Sequence, residues 1–184
     1  MKKLNLIIVF LFTITCYGQK CKAHLTNTDE ITEVKTELWG GKLHSKSTIV
    51  NGKGHDIKLL IAKDKDTNKS YVILNIVSKA PADDSDIFDV NFTEGVDYIL
   101  KTEGGLIKLK IDKIFKSNNR FMSTYSVTNQ IISYLSDEDL KLLTTKSLTM
   151  FRVVTENGQK IEGKVSKKNS KKLKSQFECY INNN

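Results

Sequence analysis

From about residue 31 to residue 165 the chain alternates short apolar runs with clusters of Gly, Asn and Asp, and within several runs the apolar positions recur with a period of two. That period belongs to β-strands with one buried face and one wet face. Residues 56–63 and 70–77 are strand-length runs rich in β-branched and aromatic side chains, joined by the turn formers of residues 64–69. They predict a hairpin. Residues 97–101 and 106–111 flank Gly104-Gly105, and the second run alternates apolar residues with Lys. Residues 148–154 and 160–165 bracket Asn157-Gly158, the strongest short-range hairpin signal in the chain. Residues 31–50 predict two further strands around Gly40-Gly41, and residues 121–134 another.

Two segments break the period. Ser136 supplies an N-cap hydroxyl, Asp137, Glu138 and Asp139 oppose the helix dipole favourably, and Leu140 and Leu143 follow, which predicts a helix of about two turns. From Ser166 to Ile181, the residues Leu173, Phe177, Tyr180 and Ile181 share one side of a helix. Lys167, Lys168, Lys171, Lys172 and Lys174 form a basic face on the other. The expected fold is therefore mainly β: an antiparallel β-sandwich or partly open barrel with one short helix and a C-terminal amphipathic helix.

The N-terminus carries a different pattern. Met1-Lys2-Lys3 precedes an apolar stretch from Leu4 to Ile14, too short to span a bilayer but of the length of a signal-peptide core. Cys16 and Gly18 place small residues where a signal peptidase inspects the chain. Residues 1–18 are expected to be a signal peptide and residues 19–184 a single β-rich domain, periplasmic or secreted, with no transmembrane segment in the mature chain. Lipidation of Cys16 is the alternative, disfavoured because Thr13 stands where lipoprotein signals carry Leu. Two cysteines then remain, Cys21 and Cys179. An oxidising compartment predicts a disulfide between them, with two free thiols as the alternative.

Composition narrows the function classes. The 184 residues carry a formal charge of +8, which falls to +6 when residues 1–18 and their two lysines are removed. Only Arg120 and Arg152 are Arg, and the Lys-rich stretch from Lys160 to Lys174 offers no Arg forks or exposed stacking aromatics, so nucleic acid is not an expected partner. Phosphate-loop, dinucleotide and nucleophile-elbow motifs are absent, and no cofactor is expected. His24, His44 and His55 lack metal-ligand spacing, and read as surface residues. Asp64, Asp66, Asn68 and Ser70 imitate the start of a calcium loop, but Lys69 and Asn75 occupy the positions of its Gly and closing Glu, so a turn is the better reading. Asp83, Asp84, Asp86 and Asp89 mark a wet loop or a weak divalent-cation site. Trp39, beside two glycines, is either a ligand contact or a core residue.

These residues predict an exported cell-envelope protein with a binding or structural role, its partner an envelope protein or a small ligand. Two alternatives stand beside it. One is a hydrolase using carboxylates from separate strands, such as Glu94 or Asp97. The other is an inhibitor or immunity-type protein that binds an acidic partner through its lysines.

Overall fold

The computed structural model describes residues 21–28, 35–47, 54–81, 90–121 and 124–183. Cys16 and the four aspartates Asp83, Asp84, Asp86 and Asp89 lie outside the described residues, as do residues 1–20. In chain order the elements are β1 (Leu25–Thr28), β2 (Lys35–Ser47), β3 (Gly54–Lys63), β4 (Ser70–Pro81), β5 (Asp97–Thr102), β6 (Gly105–Lys110), β7 (Lys113–Phe121) and β8 (Thr124–Tyr134). Helix α1 (Asp137–Thr145), strands β9 (Leu148–Val154) and β10 (Lys160–Lys164), and helix α2 (Lys167–Asn183) complete the chain.

The strands form two antiparallel sheets. A six-stranded sheet has the order β1-β2-β3-β4-β8-β7 and curves into a half-barrel, and a four-stranded sheet has the order β10-β9-β5-β6. Alternation explains their packing. Ile57, Leu59 and Ile61 of β3, Val72, Leu74 and Ile76 of β4, and Ile131 of β8 are buried with Tyr98, Leu100, Ile107, Leu109, Phe151 and Val153 of the second sheet in one apolar cluster. At roughly 25 cal/mol per Å² of apolar surface removed from water, this shared layer is the main stabilising contribution.

Two seams bring the sheets together. On one side Asp112, between β6 and β7, donates its N–H to the Ile132 carbonyl at 2.9 Å and accepts the Tyr134 N–H at 2.9 Å. On the other, the His44 ring of β2 lies 3.1 Å from the Lys164 carbonyl of β10 and tilts against Phe151, with ring centroids 5.5 Å apart. Gly163 makes that approach possible: a Cβ there would fall 2.8 Å from the His44 ring.

Helix α2 packs on β2, β3 and β9, and its Leu173, Phe177 and Tyr180 are buried in the same cluster as both sheets. The Tyr180 and Ser70 hydroxyls lie 2.7 Å apart. Ile181, expected on the inward side, is 45% exposed. It lies roughly 80° round the helix from Leu173, at the margin of the apolar stripe. Helix α1 begins as expected, with Ser136 Oγ accepting the Asp139 N–H at 3.1 Å. Three basic residues of the α2 face, Lys167, Lys168 and Lys171, are exposed together with Lys172, while Lys174 is half-buried and 3.7 Å from Glu178.

Two strands depart from the sequence reading. Gly40-Gly41 does not turn the chain: β2 runs through both, with a register shift only between Lys42 and His44. Gly40 sits at φ 143°, and a Cβ there would lie 2.2 Å from the Leu59 carbonyl oxygen, so the glycine serves a close approach within the sheet. Strand β7 was not signalled by its sequence because it is an edge strand; Phe115, Lys116, Ser117, Asn118 and Asn119 are all exposed, leaving no period of two.

The Cys21–Cys179 disulfide joins residues 158 apart in sequence and fixes the chain before β1 to α2. Loop-closure entropy for that separation is worth about 5 kcal/mol. The Cys21→Ala/Cys179→Ala variant is therefore expected to lose up to about 5 kcal/mol in denaturant unfolding. A loss below about 1 kcal/mol would show that the crosslink constrains little in the unfolded chain.

Candidate functional site

The four-stranded sheet turns its second face outward, and its register determines what stands there. With Tyr98, Leu100, Ile107, Leu109, Phe151, Val153 and Ile161 pointing inward, the alternate residues of each strand point out. Asp97 pairs with Lys110, Ile99 with Lys108 and Lys101 with Leu106. Across the other side of β5, Ile99 pairs with Arg152 and Lys101 with Met150. Next, Val154, Arg152 and Met150 pair with Lys160, Glu162 and Lys164.

The result is a grid of cations around an apolar centre. Lys101, Lys108, Lys110, Arg152, Lys160 and Lys164 face outward with only Asp97 and Glu162 as carboxylates. Lys108 and Lys110, two residues apart on one strand, stand about 7 Å apart, within one Debye length at physiological salt, so neighbouring cations of the grid reinforce one another locally. Arg152 Nε and Glu162 Oε2 are 2.5 Å apart in an exposed pair, which orients the guanidinium but adds little stability. At the centre lies a depression of about 250 Å³ lined by the outward-facing Ile99, Leu106 and Met150, with Lys101, Arg152 and Glu162 around it. Leu106 is 58% exposed.

The sequence-derived candidates occupy other positions. Trp39 is 2% exposed, so its ring belongs to the core rather than to a surface ligand platform. Glu94 accepts the Ile114 N–H at 3.2 Å, a bond that ties the loop before β5 to β7, and Asp97 lies opposite Lys110. Asp64 heads a hairpin turn, accepting the N–H groups of Asp66 and Thr67 at 3.0 and 3.1 Å, with Asn68 at φ 58°. Among the described residues no group of three His, Cys, Asp or Glu side chains is placed to hold a metal ion. Of the histidines, His24 is exposed as expected, whereas His55 Nδ1 lies 2.8 Å from the buried Ser78 Oγ and His44 closes a seam.

The cationic grid was only partly legible. The alternation of Lys108 with Lys110, and of Lys160 with Lys164, is visible in each strand, but which strands lie side by side is a property of the fold. Among the described residues, no helix is long and apolar enough to cross a membrane. Compared with protein-family models, curated proteins and solved structures, the chain matches none.

His55 also gives the fold an acid limit. Burial first, then Lys46 and His44, hold its pKa below the ordinary 6.5, and burial with Lys58 and Lys172 does the same for His24. The unfolded chain then binds these protons before the folded chain does, so the stability these two histidines contribute is full above about pH 7 and declines as pH falls through about 6.5. Between about pH 7.5 and about pH 5, the slope of unfolding free energy against pH is expected to be shallower in His55→Gln than in the parent chain. Identical slopes would remove His55 from the balance.

Proposed function

We propose that residues 19–184 form an exported cell-envelope protein that acts by binding an acidic partner protein on the outer face of the four-stranded sheet. The observation that carries this reading is the grid itself: six cations assembled from four strands around an apolar depression. Cations on a rigid sheet steer an acidic surface into place and fix its orientation, while an apolar depression accepts an anchoring side chain. The disulfide and the export-type N-terminus support an oxidising compartment. Absence of an aromatic side chain among the outward positions of this face argues against single-stranded nucleic acid, whose bases need stacking surfaces.

The face carries a chemistry that surface charge alone lacks. A purely electrostatic surface would bind any acidic peptide equally, whereas a depression lined by Ile99, Leu106 and Met150 favours an acidic segment with an aliphatic side chain at its centre. The basic side of α2, with Lys167, Lys168, Lys171 and Lys172 exposed, is the comparison surface.

An acidic Glu/Asp peptide with one central Leu serves as the probe. Its affinity is expected to exceed that of the all-acidic peptide, to fall steeply with salt, and to drop about tenfold or more in Lys101→Glu/Lys108→Glu. Lys167→Glu/Lys171→Glu on α2 should have the smaller effect. Equal losses in the two double variants, or no preference for the central Leu, would refute the assignment to this face.

A further inference from the structure

A second cleft, of about 340 Å³, lies on the outer face of the six-stranded sheet, remote in chemistry from the cationic grid. Its base is aromatic. Tyr71 of β4 and Tyr134 of β8 are directly paired across the strands, with their rings edge to face and centroids 6.0 Å apart. Ile132 and Phe115 extend the base towards β7, where Phe115 is 56% exposed. An edge strand that otherwise shows lysines, serine and asparagines to water does not need a phenylalanine for folding at that position.

The β3–β4 turn overhangs this base and is held to it. Asp64 uses one carboxylate oxygen to accept the N–H groups of Asp66 and Thr67, and the other to accept the Tyr134 hydroxyl at 2.7 Å. One ring and one wall of the cleft are thus fixed before any ligand arrives, which lowers the entropy cost of binding. The same hydroxyl bond draws the Asp64 carboxyl below its ordinary range and lifts the Tyr134 phenol above its own, so both keep their charge states through neutral pH. Lys63, Lys65, Asp66 and Lys113 complete a rim of three ammonium groups and, with Asp64, two carboxylates.

We propose that this cleft binds an uncharged pyranose ring of a polysaccharide or glycan. The C–H faces of such a ring are apolar and flat, suited to Phe115 and Tyr71, while its ring of hydroxyls both donates and accepts. Rim groups of both signs supply the complementary acceptors and donors. A wholly apolar ligand would leave the charged rim desolvated and unpaired. This second site is independent of the acidic-partner reading.

The test is titration of the full mature protein with neutral cello-, chito-, malto- and xylo-oligosaccharides, followed by calorimetry and by chemical-shift changes of the cleft residues. At least one series is expected to bind, with shifts at Tyr71, Phe115 and Tyr134, and Phe115→Ala should lose about tenfold in affinity while Lys101→Glu/Lys108→Glu loses none. Phe115 is exposed, so its replacement leaves the core intact, and Tyr71→Phe, which keeps the ring, should retain most of the binding. No binding in any series would overturn the proposal, as would saccharide binding indifferent to Phe115→Ala. Concentration-dependent dimerisation abolished by Phe115→Ala would assign the cleft to a second copy of the chain and equally overturn it.

Discussion

Docking of the C-terminal helix is the contact on which the rest of this structure depends. The half-barrel and the four-stranded sheet share an apolar layer, and α2 bridges β2 of one to β9 of the other by inserting Leu173, Phe177 and Tyr180 into it. Without the helix, those inner faces would meet water along one side. The disulfide reinforces the same contact covalently, because Cys179 lies on α2 and Cys21 precedes the strand that lengthens the half-barrel. The helix therefore belongs to the core, and its lysines are what remains on its wet side.

Committing one face of each sheet to the shared core leaves the other face of each to chemistry. On the four-stranded sheet, antiparallel register gathers cations from strands far apart in sequence onto one face around an apolar centre. On the six-stranded sheet, the same logic stands two tyrosines side by side and places a turn carboxylate over them. Both surfaces are rigid because sheet hydrogen bonding fixes their backbones, and rigidity is what lets side chains of modest individual affinity act together. A polar, uncharged ring and an acidic segment call for different surfaces, and the two faces differ accordingly.

The sequence was most informative where burial imposes a period. The three hairpins around residues 64–69, Gly104-Gly105 and Asn157-Gly158, the Ser136 cap and the apolar stripe of α2 could all be read directly, since each is a local consequence of turn chemistry or one-sided burial. It was least informative where local pattern is absent or misleading. Gly40-Gly41 resembles a turn, but its glycines serve a close backbone approach that only the neighbouring strand β3 creates. Strand β7 turns only Ile114 towards the core while Phe115 to Asn119 are exposed, so it shows no sustained pattern. Pairing Cys21 with Cys179 followed from elimination, whereas the sites on the sheet faces required strand order, which spacing does not encode. Trp39 stood out as the lone tryptophan, yet its neighbours Ile61 and Leu59 across β3 draw it inward.

The most direct test of the central claim, that an exported chain is closed by a covalently anchored C-terminal helix, is intact-mass analysis of the protein from the envelope fraction of its native host, with thiol alkylation before and after reduction. A mass beginning at Gln19 that gains two alkyl groups only after reduction is the expected result. Alkylation of both Cys21 and Cys179 without reduction would contradict the anchored helix, and a full-length chain confined to the cytoplasm would contradict export.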